Sequence, residues 1–108
     1  MSNYVNDLNE AGLDDELAQS QVPILVDFWA PWCGPCRAMA PAVDAAAERL
    51  GPKAKVYKIN VDENPDVSPR FIIKGIPTLI VFKDGHEAGR LVGVATKEQI
   101  EALVTTVA

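Results

Sequence analysis

The run Pro23-Ile24-Leu25-Val26-Asp27-Phe28-Trp29 passes, three residues later, into Cys33-Gly34-Pro35-Cys36 and a helical pattern that reaches Leu50. The first stretch, apolar with β-branched and aromatic character, reads as a buried strand. Residues 34–50 read as a helix, ended by Gly51-Pro52, with glycine just past the helix and proline after it. The only two cysteines of the chain therefore sit together where a strand hands over to a helix. That junction sets the layout around it.

The remaining pattern fits the same layout. A weak strand is expected over 4–8, a helix over 13–20, the strong strand over 22–29 and another strand over 54–61. A short helix follows Asn64-Pro65, with proline in its first turn. Residues 78–82 are strand-like again, and Lys83-Asp84-Gly85-His86 holds the Asp-Gly pair of a tight hairpin turn leading into a strand over 87–94. Thr96 caps a final helix with Ile100, Leu103, Val104 and Val107 on one face, and Glu98 and Gln99 at its start suit a capping arrangement. Pro41, inside the second helix, is expected to kink it near Arg37. Strands alternating with helices, closed by an antiparallel hairpin and a helix, predict an α/β fold with a mixed sheet and helices on both faces. With 108 residues, no repeat and no linker, residues 1–108 are expected to form one domain.

Composition removes several functions. Hydrophobic residues at 48% suit a compact globule rather than a disordered chain. No apolar stretch approaches the roughly 18 to 20 residues of a membrane span. The start, Met1-Ser2-Asn3-Tyr4, carries no export signal, so a cytoplasmic location is expected. In that compartment a C-x-x-C pair is catalytic or metal-binding more often than a structural staple. The net charge of −5 is concentrated in Asp7, Glu10, Asp14, Asp15 and Glu16, with ten acidic and ten basic residues in the remainder. Asp14, Asp15 and Glu16 read as a solvated helix start that complements the helix dipole, in preference to a repulsive face that selects partners. Without a basic stripe, nucleic-acid binding has no support.

Residues three apart at the start of a helix lie on one side of it. Cys33 and Cys36 can therefore meet the Cα separation of about 4.4 to 6.8 Å that a disulfide requires. Cys33 lies beside the free amides and positive dipole end, which favour thiolate and make it the nucleophile. Cys36, further into the helix, is expected to be more buried and to resolve the mixed disulfide from within the molecule. Gly34 leaves room for a partner chain, and Pro35 suits a first helical turn. A zinc site wants four ligands, which one histidine and one cysteine pair do not supply. A structural disulfide across two residues would constrain little chain entropy.

Asp27 interrupts the apolar strand, where a carboxylate is costly unless paired or neutralised. Either it reaches water at a strand end, or it is a buried proton acceptor with a raised pKa serving the resolving thiol. Lys58 interrupts Val56-Tyr57-Lys58-Ile59, and could approach Asp27 from a neighbouring strand or simply reach solvent. Trp29 reads as core, His86 as a surface turn residue, and Trp32 as either a packing or a contact residue.

The segment Val26-Asp27-Phe28-Trp29-Ala30-Pro31-Trp32-Cys33-Gly34-Pro35-Cys36 closely resembles the active site of the thioredoxin family. Ala40-Pro41, Asn60-Val61-Asp62, Asn64-Pro65, Gly75-Ile76-Pro77-Thr78, Phe82-Lys83-x-Gly85 and Val92-Gly93 extend the likeness in order over residues 22–104. This resemblance implies a five-stranded mixed sheet flanked by four helices, with the redox pair opening the second helix. It implies that Cys33 attacks, Cys36 resolves, and Asp27 assists proton transfer with Lys58 nearby. Ile76-Pro77 would be cis and face the cysteines, with the Ile76 backbone pairing to an extended substrate. Trp32, Gly34, Pro35, Ile76, Pro77, Val92 and Gly93 would form a flat, uncharged docking surface.

The activity so implied is reduction of disulfides in client proteins by a monomer without bound cofactor, itself re-reduced from NADPH by a separate thioredoxin reductase. An oxidase or isomerase of the same fold and a non-enzymatic binding subunit are the competing readings. Gly34-Pro35 and the missing export signal favour the reductant. Three departures stand out: Asn6 and Asp7 in the first strand, Leu13 where phenylalanine is frequent, and Ile72 where glycine is common. A β-branched residue resists positive φ, so the third helix is expected to end differently here.

Overall fold

The computed structural model describes residues 3–107. Its elements run β1 (Asn6–Asp7), α1 (Glu10–Gln19), β2 (Ile24–Trp29), α2 (Gly34–Leu50), β3 (Lys55–Asn60), α3 (Val67–Arg70), β4 (Thr78–Lys83), β5 (His86–Val92) and α4 (Lys97–Val107). A short 3-10 turn, Gly51–Lys53, follows α2. The five strands form one sheet in the order β1-β3-β2-β4-β5. β1, β3 and β2 are parallel, while β4 runs antiparallel to both β2 and β5. This is the mixed α/β sheet with four helices that the sequence predicts.

Alternation along β2 explains the two layers. Ile24, Val26 and Phe28 point into a core shared with Leu13, Ile59, Val67, Ile80 and Phe82, beneath α1 and α3. Leu25 points the other way, into a core built with Met39, Val43, Leu50, Leu79, Ile100 and Val104 of α2, β4 and α4. Asp27 lies on this second face, one step further along the strand. β2 is thus central, covered on both sides, and its C-terminal end delivers the chain directly to the cysteines.

Local signals account for most boundaries. In the hairpin turn both Asp84 (φ 53°) and Gly85 (φ 81°) take positive φ, which Asp-Gly tolerates. Thr96 and Gln99 cap α4 reciprocally: the Thr96 N–H donates to Gln99 Oε1 at 2.8 Å and the Gln99 N–H to Thr96 Oγ1 at 3.1 Å. α2 runs helically through Pro41.

Three expectations change. α1 begins at Glu10, because Asn9 caps it by accepting from the Gly12 N–H at 2.7 Å. Asp14, Asp15 and Glu16 therefore lie mid-helix rather than in the first turn, and Glu16 is buried against Tyr57 and Lys55. Pro65 precedes α3 instead of opening it. Finally, Ile72 does adopt positive φ, 54°, despite its branched Cβ.

Candidate active site

Ala30, Pro31 and Trp32 carry the chain from β2 to Cys33, the N-cap of α2. The turn is fastened twice: the Cys33 N–H donates to the Ala30 carbonyl at 3.1 Å, and Arg37 Nη1 to the Pro31 carbonyl at 2.6 Å. Cys33 and Cys36 are joined in a disulfide with Cα atoms 5.3 Å apart. An N-cap side chain lies in front of the first unpaired amides of its helix. Here the Cys36 N–H donates to Cys33 Sγ at 3.2 Å.

The anticipated difference in burial is absent, with Cys33 4% exposed and Cys36 3%. Both sulfurs pack with Ala30 against Trp29, Val61 and Ile76. Cys33 is covered because its N-cap side chain folds back over the first turn, with Sγ 3.8 Å from the Ile76 carbonyl oxygen. What distinguishes the two is their surroundings. Cys36 lines a recess of about 240 Å³ together with Asp27, Trp29, Arg37, Ala40 and Lys58.

Asp27 sits within β2 and is 6% exposed, which removes the strand-end alternative. Among the described residues, neither its Oδ1 nor Trp29 Nε1 finds a hydrogen-bond partner. Burial pushes the Asp27 carboxyl up from 3.8 to about 7, against the weaker downward pull of the Lys58 charge. Lys58 stands opposite Asp27 in the β2–β3 register. Its ammonium, however, lies 5.0 Å over the Trp29 ring and 3.9 Å from Asp7 Oδ1 at the surface. It therefore acts on Asp27 through space, not as an ion-pair partner.

The residues expected to form a docking surface lie on separate segments. The Ile76-Pro77 peptide is cis. The Pro77 carbonyl accepts from the Gly93 N–H at 2.8 Å, and Gly93 has φ 90°, a conformation that favours glycine. Val92, beside it, is 67% exposed. Pro35 sits in the first turn of α2. A Cβ added at Gly34 would meet nothing closer than Arg37 Nη2 at 3.9 Å, so the fold itself does not require glycine there.

Trp32 satisfies both of its readings, since its ring is exposed while Nε1 donates to Asp62 Oδ2 at 2.9 Å. Asp62 is held in turn, its N–H donating to Asn60 Oδ1 at 2.9 Å. Sequence reasoning assigned no role to Asp62. Its signals were a place in the Asn60-Val61-Asp62 likeness and a carboxylate just past a strand, neither of which assigns it a role.

The thioredoxin family model matches residues 4–106. The chain belongs to the thioredoxin family. It is 48% identical to thioredoxin 1 of Synechococcus elongatus over 90 residues, 83% of this chain and 84% of that one. Identity to the thioredoxin of Pseudomonas aeruginosa is 40% over 104 residues, 96% of each chain. Among solved structures, chloroplastic thioredoxin z is similar with a TM-score of 0.86 at 34% identity, over 99% of this chain and 96% of that one. With its paired cysteines at a thioredoxin helix N-terminus, the chain is a thiol–disulfide oxidoreductase that reduces protein disulfides. Among the described residues no cluster of three or more His, Cys, Asp or Glu side chains is arranged to hold a metal ion. No helix among them is long and apolar enough to cross a membrane.

Proposed function

We propose that Cys33 is the attacking sulfur and Cys36 the resolving one, with Asp27 as proton acceptor. The Cys33 thiolate attacks one sulfur of a client disulfide, forming a Cys33–client bond and releasing the other client sulfur as thiolate. Cys36 gives its proton to Asp27 and attacks Cys33 Sγ. The Cys33–Cys36 disulfide forms, the second client sulfur leaves as thiolate, and two electrons have moved to the client. Support comes from one observation above all: Cys36 and a buried carboxylate whose Oδ1 has no hydrogen-bond partner among the described residues line the same recess, while Cys33 faces a helix amide. A base with a pKa near 7 is well matched to a thiol at neutral pH. Lys58 is the cation that keeps Asp27 from rising further.

On this reading the client backbone lies along Ile76, across Trp32, Gly34, Pro35, Pro77, Val92 and Gly93. No bound cofactor is involved. Electrons come from NADPH through a separate thioredoxin reductase, and the chain works as a single-domain monomer without nucleic acid or membrane. Its proposed location is the cytoplasm; a plastid location, as for the chloroplastic relative, is the competing reading, and fractionation separates them.

The deciding experiment is trapping. Cys36→Ser should accumulate mixed disulfides with client proteins, whereas Cys33→Ser should trap none and abolish NADPH oxidation in a coupled assay with thioredoxin reductase and a disulfide-bearing protein. Adducts on Cys36 in the Cys33→Ser variant would reverse the assignment. A dithiol potential well above the cytosolic glutathione poise would instead favour an oxidase.

A further inference from the structure

Met39 lies three residues beyond Cys36 and is 1% exposed, in the core that α2 shares with β4 and α4. Residues three apart share one side of a helix, so Met39 stands a turn below Cys36. Its bulk is that of an ordinary core side chain, but its sulfur has a separate task. The Ala95 N–H donates to Met39 Sδ at 3.4 Å. A buried main-chain N–H normally finds a carbonyl oxygen, and a thioether is a weak acceptor in its place. Ala95 is itself buried, where the chain leaves Gly93 and Val94 for α4.

That stretch is hung at both ends. Two residues before Ala95, the Gly93 N–H donates to the Pro77 carbonyl at 2.8 Å. The neighbouring Ile76 carbonyl oxygen lies 3.8 Å from Cys33 Sγ. Contacts therefore close a ring: from Cys33 to Ile76, through Pro77 to Gly93, along the chain to Ala95, and across Met39 back into α2. Val92 and Val94, on either side of Gly93, are exposed. The outer attachment joins this edge to the cis-proline; the inner one ties it to the helix that carries both sulfurs.

We infer that Met39 is a positioning residue for disulfide exchange, its thioether setting the distance between the Val92–Gly93 edge of the docking surface and the cysteine pair. A client segment lying across both meets them at one spacing, and its disulfide reaches Cys33 only where that spacing fits. Met39 acts through Ala95. This rests on the docking reading above.

The chain holds two methionines, Met1 and Met39, so growth on norleucine exchanges the Met39 sulfur for a methylene at nearly constant size. Met39→Leu removes the same acceptor by mutation, and its norleucine-grown form controls for Met1. Selenomethionine keeps an acceptor of the same kind. In each form, reduction of a protein disulfide is measured against reduction of a small, freely diffusing disulfide. Norleucine and Met39→Leu should raise the ratio of KM values, protein over small disulfide, about threefold, with the change in KM rather than kcat. Both should also speed hydrogen exchange of the Ala95 amide about tenfold. The selenomethionine form should match the sulfur form in both respects. A Met39 that only fills the core would lower Tm and leave the ratio unchanged. An unchanged ratio, with Val92→Glu still raising it, overturns the role of Met39 and leaves the docking surface standing. A raised ratio without faster Ala95 exchange overturns it too, since the effect would not pass through that N–H. If Val92→Glu leaves the ratio unchanged, the docking reading falls and takes this inference with it.

Discussion

Two acidic side chains are buried on opposite faces of the same sheet, Glu16 from α1 on one side and Asp27 from β2 on the other. Glu16 accepts a short hydrogen bond from the Tyr57 hydroxyl and another from Lys55 Nζ at 3.2 Å. These partners, Tyr57 first, hold its carboxyl below the usual range even though burial opposes them. Burial and the carboxylate together push the Tyr57 hydroxyl up to about 12. Asp27 has the burial without the partners, and it moves the opposite way. Lack of coverage by donors, rather than burial alone, separates a carboxylate that braces the fold from one poised to take a proton.

The largest expected effect is that of Asp27→Asn. A carboxyl held near 7 instead of 3.8 costs the folded state roughly 4 kcal/mol once ionised. Below about pH 4 it is protonated in both states and costs nothing. Between there and pH 7 the folded state keeps a proton that the unfolded chain releases, so stability falls as pH rises; above 7 the full cost stands. The variant should thus be more stable at pH 8 by up to that amount in urea denaturation, gain nothing at pH 3, and turn over ~10²-fold more slowly. Destabilisation at pH 8 would make Asp27 a structural carboxylate after all.

Glu16→Gln should do the reverse on a smaller scale. Its lowered pKa gives stability that is present above the unfolded value and lost as pH falls through the folded one. We expect a loss of about 1 to 2 kcal/mol at neutral pH, shrinking in acid, with turnover unchanged. A drop in turnover comparable to that of Asp27→Asn would erase the distinction between the two faces. Lys58→Met has the smallest effect: it removes the charge that opposes burial at Asp27, so the pH at which turnover rises should move upward. Carboxyl NMR titration of Asp27 reads the shift directly, and a downward shift would assign Lys58 another role.

Much of this contrast was legible in the sequence, but unevenly. Asp27 announced itself as a charge inside an apolar run, and its handover to Cys33 located the site. α2, the Asp84-Gly85 turn and the Thr96–Gln99 cap were readable because their signals lie within a few residues of where they act. Glu16 was misread because its partner Tyr57 is 41 residues away, and three consecutive acids resembled a helix start. Asn9, the real cap, carried a weaker signal than the carboxylates after it. The equal burial of the two cysteines was also hidden, since Ile76 covers Cys33 from 43 residues away. At Ile72 the local preference was read correctly and then overruled by the helix end itself, where the Ile73 N–H donates to the Ser68 carbonyl at 2.8 Å and the Ile72 N–H to the Pro69 carbonyl at 3.4 Å.

The acidic N-terminal stretch has a consequence of its own. Glu10 and Asp14 both reach Arg70, at 2.8 and 2.5 Å, Glu16 reaches Lys55, and Asp7 lies 3.9 Å from Lys58. Four of its five carboxylates thus face cations supplied by β3 and α3, after the middle of the chain or close to it. Such contacts can form only once those later segments are in place, and added electrolyte weakens them. The first helix is therefore a clasp rather than a foundation: the part of the molecule whose attachment should respond to ionic strength.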